Sequence, residues 1–204
     1  MPGVDMVIND ITYLVKNRQK IQGIFLTHGH EDHIGGLPYF LKEINVPVYG
    51  TKLTLGLVEH KLKEHNLLAS VKLVRTRPGN TVQAGKCFSV EFITTNHSIA
   101  DSVALAIKTP VGTVVHMGDF KIDSTPIVGD VMDLARLGEL GKEGVLALMS
   151  DSTNVERPGY AMSEKTVGHK FESIFKNCDK RIIVATFASN VHRVQQIIDA
   201  AAKN

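Results

Sequence analysis

Gly23-Ile24-Phe25-Leu26-Thr27 is a short apolar run that passes, with no intervening loop, into His28-Gly29-His30-Glu31-Asp32-His33. The run reads as a buried strand, so three imidazoles and the Asp32 carboxylate stand at its carboxyl end. In an α/β sheet that edge is where ligands bind. The fold must therefore carry a donor cluster to an open sheet edge. His28 and His30 are two residues apart, so in extended backbone they point the same way and can share one metal. Asp32 and His33 begin the following turn and face elsewhere, which suits a second ion. Imidazole nitrogen with carboxylate oxygen, and no thiolate, favours zinc, manganese or iron over a Cys-type structural zinc site. Gly29 is expected to let the backbone bend tightly around the ions.

The rest of the chain alternates strand-like runs with longer helical patterns, the mark of an α/β protein. Residues 46–50 read as a second strand, moved toward a sheet edge by Pro47. Residues 38–44 read as a short helix, with Pro38 acceptable in its first turn. Between 52 and 68, Leu53, Leu57, Val58 and Leu62 give an apolar stripe at helical spacing. Residues 71–74 lead into a turn at Arg77-Pro78-Gly79-Asn80. Phe88, Val90 and Phe92 alternate with Ser89 and Glu91 as a half-buried strand. Residues 102–109 and 112–117 form a hairpin-like pair. A long connection, 120–144, carries a helical piece at 132–140, and 145–149 is a strand again. Helix 163–177, strand 181–187 and helix 191–202 follow. A domain boundary near residue 151 falls beside the loop chemistry of 154–159, dividing 1–150 from 151–204.

Composition narrows the class. The 204 residues leave room for one large domain, or for one and part of another. With 43% hydrophobic and 22% charged residues, disordered and collagen-like chains are excluded. No apolar run of about 18 residues exists to span a membrane. Met1-Pro2-Gly3-Val4-Asp5 lacks the basic and apolar regions of a leader peptide. Cys87 and Cys178 have no metal-type spacing and suit a reducing cytoplasm. A net charge of +2 neither suggests nor excludes a nucleic-acid partner.

The first cluster cannot close two coordination spheres alone, so further donors are needed. His97 follows the strand-like run 92–96 and Asp119 follows 114–118, each at a strand end. His60, His65 and His169 read as solvated, and His116 as packed within its strand.

The order His28-x-His30-x-Asp32-His33, then His97, then Asp119 within Gly118-Asp119-Phe120, resembles the metallo-β-lactamase superfamily. The run from Phe25 to Pro38 is similar to the β-CASP nucleases. Gly118-Asp119-Phe120-Lys121-Ile122-Asp123 and Ser150-Asp151-Ser152-Thr153-Asn154 resemble the ribonuclease J family within that group. The resemblance covers essentially the whole chain. It implies an α/β fold, an αββα sandwich incomplete at its N-terminus over 1–150, running into the start of a β-CASP domain over 151–204. It also implies sequence before residue 1 and beyond residue 204, making this chain an internal piece.

The resemblance further implies that His28, His30 and His97 hold one metal and that Asp32 and His33 hold another, with Asp119 bridging both. Two divalent ions are expected, zinc first, with manganese or magnesium as substitutes. Asp32, Asp119 and Asp151 are the implied catalytic residues; Asp151 has a competing reading as a turn cap through Ser152 and Thr153. Ser189, Asn190, His192 and Arg193 are candidates for holding an RNA phosphate at a helix N-terminus. A plain N-cap at Ser189 or Asn190 is the equal alternative. The implied activity is metal-dependent hydrolysis of single-stranded RNA, 5′-to-3′ and internally, in RNA maturation and decay. A cytoplasmic protein is expected, forming homo-oligomers or pairing with a related subunit, with no membrane partner. Two other readings are kept. One is a hydrolase of small thioesters or lactams, against which Asp32 and the continuation past residue 150 argue. The other is an inactive chain that only binds RNA.

Overall fold

The computed structural model describes Gly3 and residues 7–204; the rest of the Met1–Asp5 stretch read above as lacking a leader lies outside them. Strands β1 (Ile24–Phe25), β2 (Val48–Gly50) and β3 (Leu73–Arg75) form a parallel sheet in that order. Strands β4 (Thr81–Ala84), β5 (Phe88–Thr94), β6 (Val103–Thr109), β7 (Gly112–His116) and β8 (Val145–Met149) form a second sheet, also in chain order. It is antiparallel from β4 to β7, and β8 then joins β7 in parallel. Helices α1 (Thr12–Lys16), α2 (Glu31–Ile34), α3 (Leu37–Glu43) and α4 (Lys52–Glu64) belong to the first half of the chain. Helices α5 (Leu134–Glu143), α6 (Glu164–Lys176) and α7 (Val191–Lys203) belong to the second.

The layers follow from the two-residue period of the strands. Val103, Leu105 and Ile107 of β6 join Val90 and Phe92 of β5 on one face, where they meet Phe25 and Tyr49 from the parallel sheet. Ala104 and Ala106 of β6 point the other way with Ile93, and pack with Leu137 and Leu140 of α5. On the outer face of the parallel sheet, Ile34, Leu37 and Leu41 join Leu55, Val58 and Leu62 of α4 around Val48. Helix, sheet, sheet and helix stack in that order, which is the αββα sandwich expected. Each fully enclosed side chain such as Phe92, Leu62 or Ile34 contributes roughly 1.5–3 kcal/mol of burial.

Strand direction positions the site. β5 and β7 are both antiparallel to β6, so they run the same way, and β8 runs with β7. Their carboxyl ends therefore share one edge, and His97, Asp119 and Asp151 lie just past them. The Val103 N–H donates to the Thr27 carbonyl at 2.9 Å, tying the end of β1 to the start of β6. The histidine cluster after β1 is thereby brought to the same edge.

Three sequence expectations change. Pro47 does not make β2 an edge strand: β2 is central, between β1 and β3. Pro47 lies one residue before the pairing begins, so its missing N–H breaks no ladder bond, and its carbonyl accepts from Ile24. The strand expected at 181–187 has no partner among the described residues and is unpaired coil, with Ile183 89% and Phe187 82% exposed. The helical piece expected at 132–140 is α5, shifted because the Asp133 carboxylate accepts from the Arg136 N–H and caps it. Strand β4 was not anticipated from sequence.

Candidate metal centre

His28 leaves β1 with no solvent exposure, and its Nδ1 lies 3.1 Å from Thr27 Oγ1. That contact orients the ring so that Nε2 faces inward, where it has no hydrogen-bond partner among the described residues. A buried polar atom left unsatisfied costs about 1–3 kcal/mol, so the atom calls for an occupant. His30 and His97 meet through Nδ1 and Nε2 at 3.0 Å, and Ser98 Oγ lies 3.5 Å from the other nitrogen of His30. Helix α2 begins directly after His30 and turns His33 back over His28, with ring centroids 4.1 Å apart.

The Asp119 carboxylate sits at the middle. One oxygen, Oδ2, lies 3.3 Å from His33 Nε2, 3.8 Å from His97 Nε2 and 3.9 Å from His28 Nε2. Its donors divide into two overlapping groups, each with ligand atoms within 4.8 Å of one another: His28, His30, His97 and Asp119, and Asp32, His33 and Asp119. Asp119 is common to both. Asp32 is the most exposed member, its Oδ2 3.5 Å from His33 Nε2. The expectation that His33 faces away from His28 is corrected, since one turn of helix brings the two rings into contact.

Burial, followed by the neighbouring imidazoles of His33, His97 and His30, pushes the His28 pKa down to about 3. Burial, then His30, pushes His97 down to about 4 against the opposing pull of Asp119. Burial also lowers His30. Imidazoles held neutral are the form that ligates metal. Nitrogen and oxygen donors, an orphaned inward nitrogen and a shared carboxylate together fit divalent metal.

Supports for these donors were not legible in sequence. Gly29 does not bend the backbone; a Cβ there would lie 2.6 Å from Leu57 Cδ1, so glycine lets the cluster pack on α4. Gly118 has φ +62°, and a Cβ would meet Thr27 Cβ at 2.8 Å. Its N–H donates to His116 Nδ1 at 3.0 Å, so His116 sets the turn that presents Asp119. Asp101 holds the loop after His97 onto α4: its carbonyl accepts from Thr51 Oγ1, and its carboxylate from the Leu53 N–H. Among the other histidines, His60 and His169 are exposed, while His65 stacks edge-on against Tyr39 with centroids 5.1 Å apart.

The remaining candidates stand apart from this knot of donors. The Asp151 carboxylate accepts from the Thr153 N–H at 2.8 Å, which is the turn-cap geometry. That bond first, with the proximity of His97 and His33 adding to it, lowers its pKa, so it is an anion near those imidazoles. Asn190 caps α7, its side chain accepting from the Arg193 N–H. The Arg193 guanidinium is taken up by both oxygens of Glu164, at 2.8 and 2.9 Å. Ser189 and His192 flank this cap, and His192 borders a cleft that reaches His97.

The profile of the Metallo-beta-lactamase superfamily matches residues 2–156. The chain belongs to the metallo-β-lactamase superfamily. A second profile, Ribonuclease J, beta-CASP domain, matches residues 179–204. The chain is 50% identical to Ribonuclease J of Synechocystis sp. over 205 residues, covering 100% of this chain and 32% of that protein. It is 46% identical to Ribonuclease J of Thermus thermophilus over 209 residues, covering 100% of this chain and 36% of that protein. The chain thus spans about a third of the length of these relatives. A crystal structure of a protein of unknown function from Enterococcus faecalis V583 shares the fold at a TM-score of 0.64 and 18% identity, covering 98% of this chain and 55% of that one. The resemblance to the β-CASP branch of the superfamily is borne out, and the small-thioester reading is not favoured. No helix among the described residues is long and apolar enough to cross a membrane.

Proposed function

We propose that this chain carries the metal centre of a ribonuclease that hydrolyses single-stranded RNA, both from the 5′ end and internally, in RNA maturation and decay. The observation that carries the reading is the single Asp119 oxygen set among the Nε2 atoms of three histidines. The relatives named Ribonuclease J supply the substrate class.

In this reading His28, His30 and His97 hold one divalent ion, Asp32 and His33 hold a second, and Asp119 is shared. Zinc suits the imidazole-rich side best, and manganese or magnesium are the substitutes. Two such ions would supply a water of lowered pKa and neutralise charge on the phosphate. The protein residues do the positioning. Thr27 contacts Nδ1 of His28 and Ser98 contacts Nε2 of His30, which orients the two rings and leaves His28 Nε2 and His30 Nδ1 on the site side. Asp32, the exposed carboxylate, faces the solvent side and would orient the attacking water while it ligates. Asp151 adds a fixed negative charge beside His97 and His33 and favours their binding of cations. Residues 1–150 form the metal-binding unit and 151–204 open the β-CASP unit. Ser189, Asn190, His192 and Arg193 lie at the start of α7, and with Arg193 engaged by Glu164 the N-terminal N–H groups of α7 are what remains to hold a phosphate. The full-length protein is expected to work in the cytoplasm as a homo-oligomer or with a related subunit.

The test is cleavage of 5′-monophosphorylated single-stranded RNA by the chain extended to the length of its relatives, with zinc or manganese added. Asp119→Ala is expected to reduce cleavage more than about a hundredfold and to lower bound metal, since even outer partners of metal ligands are worth 10–100-fold. Full cleavage by Asp119→Ala with metal retained would sink the assignment.

A further inference from the structure

The motif Gly118-Asp119-Phe120-Lys121-Ile122-Asp123 contributes one residue to the metal centre and leaves Lys121 and Asp123 without a role. Both line a cleft of about 240 Å³ that also includes His97, Glu164 and His192. That is below the roughly 300–1,000 Å³ of sites for drug-sized ligands, so it has room for one small moiety beside the metal donors. Its backbone is fixed, because the Lys121 N–H donates to the Asn96 carbonyl at 2.8 Å.

The Lys121 ammonium is mostly enclosed, and its carboxylate neighbours are Asp123 Oδ2 at 3.6 Å and Glu164 Oε1 at 3.8 Å. Both distances exceed hydrogen-bond range. Asp123 Oδ1 is already taken by the Thr125 N–H at 2.9 Å, and Oδ2 is the oxygen that faces Lys121. Thr95, also on the cleft wall, has a buried hydroxyl with no partner among the described residues. A charged donor and a charged acceptor thus stand side by side as a long ion pair, with room for a third group to bond to both. A phosphate oxygen would suit Lys121 but would be repelled by two carboxylates. A base amino group would suit Asp123 but would press a donor against the ammonium. A hydroxyl answers both, accepting from Lys121 and donating to Asp123.

We infer that this cleft is a ribose subsite, in which Lys121 and Asp123 together grip a 2′-hydroxyl of the RNA strand lying against the metal centre. This rests on the ribonuclease reading and adds to it a means of telling RNA from DNA, the 2′-hydroxyl being both donor and acceptor. Glu164 acts behind it, held by Arg193 and keeping the ammonium in place.

The experiment is fluorescence anisotropy of labelled single-stranded hexanucleotides with the chain at low ionic strength. Metal is chelated so that no strand is cut. The probes are all-ribose, all-deoxyribose, and ribose strands carrying one 2′-deoxy substitution at successive positions. Hydrogen bonds to charged groups predict a loss on the order of tenfold at one position. In Lys121→Met and Asp123→Asn the same deoxy substitution is expected to cost little further. Equal binding of ribose and deoxyribose strands by the unaltered chain overturns the subsite while leaving the ribonuclease reading standing. A deoxy penalty that persists undiminished in both variants also overturns it. If the chain binds neither strand, the RNA reading falls and the subsite falls with it. The scan on the unaltered chain decides the matter even where a variant fails to fold.

Discussion

Residues 7–150 and residues 151–204 are built on different terms. The three apolar clusters of the sandwich draw all their buried members from the first region, between Leu26 and Leu140. In the second, the buried side chains among the described residues are Phe175, Asn190 and Ala200. Helices α6 and α7 lie against each other, and they reach the sandwich through polar contacts: Ser163 Oγ donates to the Thr125 carbonyl, and Glu164 approaches Lys121. The candidate metal donors come from the apolar region, on loops pinned between two sheets. A site that must hold several like-charged or neutral imidazoles together needs that kind of support. The ribose cleft instead lies where the two regions meet, so its shape depends on the polar contacts.

The largest stability effect should separate the two regions most plainly. Phe92 has no solvent exposure and packs near Phe25, ring centroids 6.2 Å apart, between the sheets. Phe92→Ala removes the burial and leaves a cavity, and the expected loss is about 3–5 kcal/mol in urea unfolding followed by circular dichroism. A loss below about 1 kcal/mol would mean that the space between the sheets is not the principal core.

Acid should act through the same region. His28 and His97 have pKa values pushed below the ordinary 6.5, to about 3 and about 4. Between pH 6.5 and those values the unfolded chain binds protons that the folded chain refuses. Stability of the chelated protein is therefore present in full above about pH 6.5 and falls as pH drops toward 4. Below about pH 3 these two groups add no further loss. His28→Gln should flatten that acid limb, and a limb as steep as the unaltered chain's would show that the buried imidazole is not its source.

Much of the site was readable because strand ends are local signals. An apolar run followed by histidines, or by a lone His97 or Asp119, marks a carboxyl end whatever the sheet order. The supports were not readable, because each depends on a partner distant in sequence. Thr27 orients His28, but Gly118 must pass within reach of Thr27 to present Asp119. Asp101 holds its loop by contacts to residues 51 and 53. The same reason explains the errors of fold. Pro47 argues for an edge only if the proline itself pairs, and residues 181–187 have strand composition but no strand beside them among the described residues.

That last stretch yields the smallest expected effect. Phe187 is an aromatic residue in an apolar run, and from sequence alone it looks as important as Phe92. At 82% exposed it has already kept most of its surface in water, so little burial is lost on changing it. Phe187→Ser should shift stability by no more than about 0.5 kcal/mol, the range of surface substitutions without a special partner. Its consequence lies in association instead. An unpaired, uncharged segment, Ile182-Ile183-Val184-Ala185-Thr186-Phe187, offers open backbone and β-favouring side chains to another strand. The serine variant should therefore stay monodisperse to higher concentration in light scattering, with an unchanged urea midpoint. A large drop in that midpoint would instead place Phe187 in a packed core, and the contrast between the two regions would fail at its weakest point.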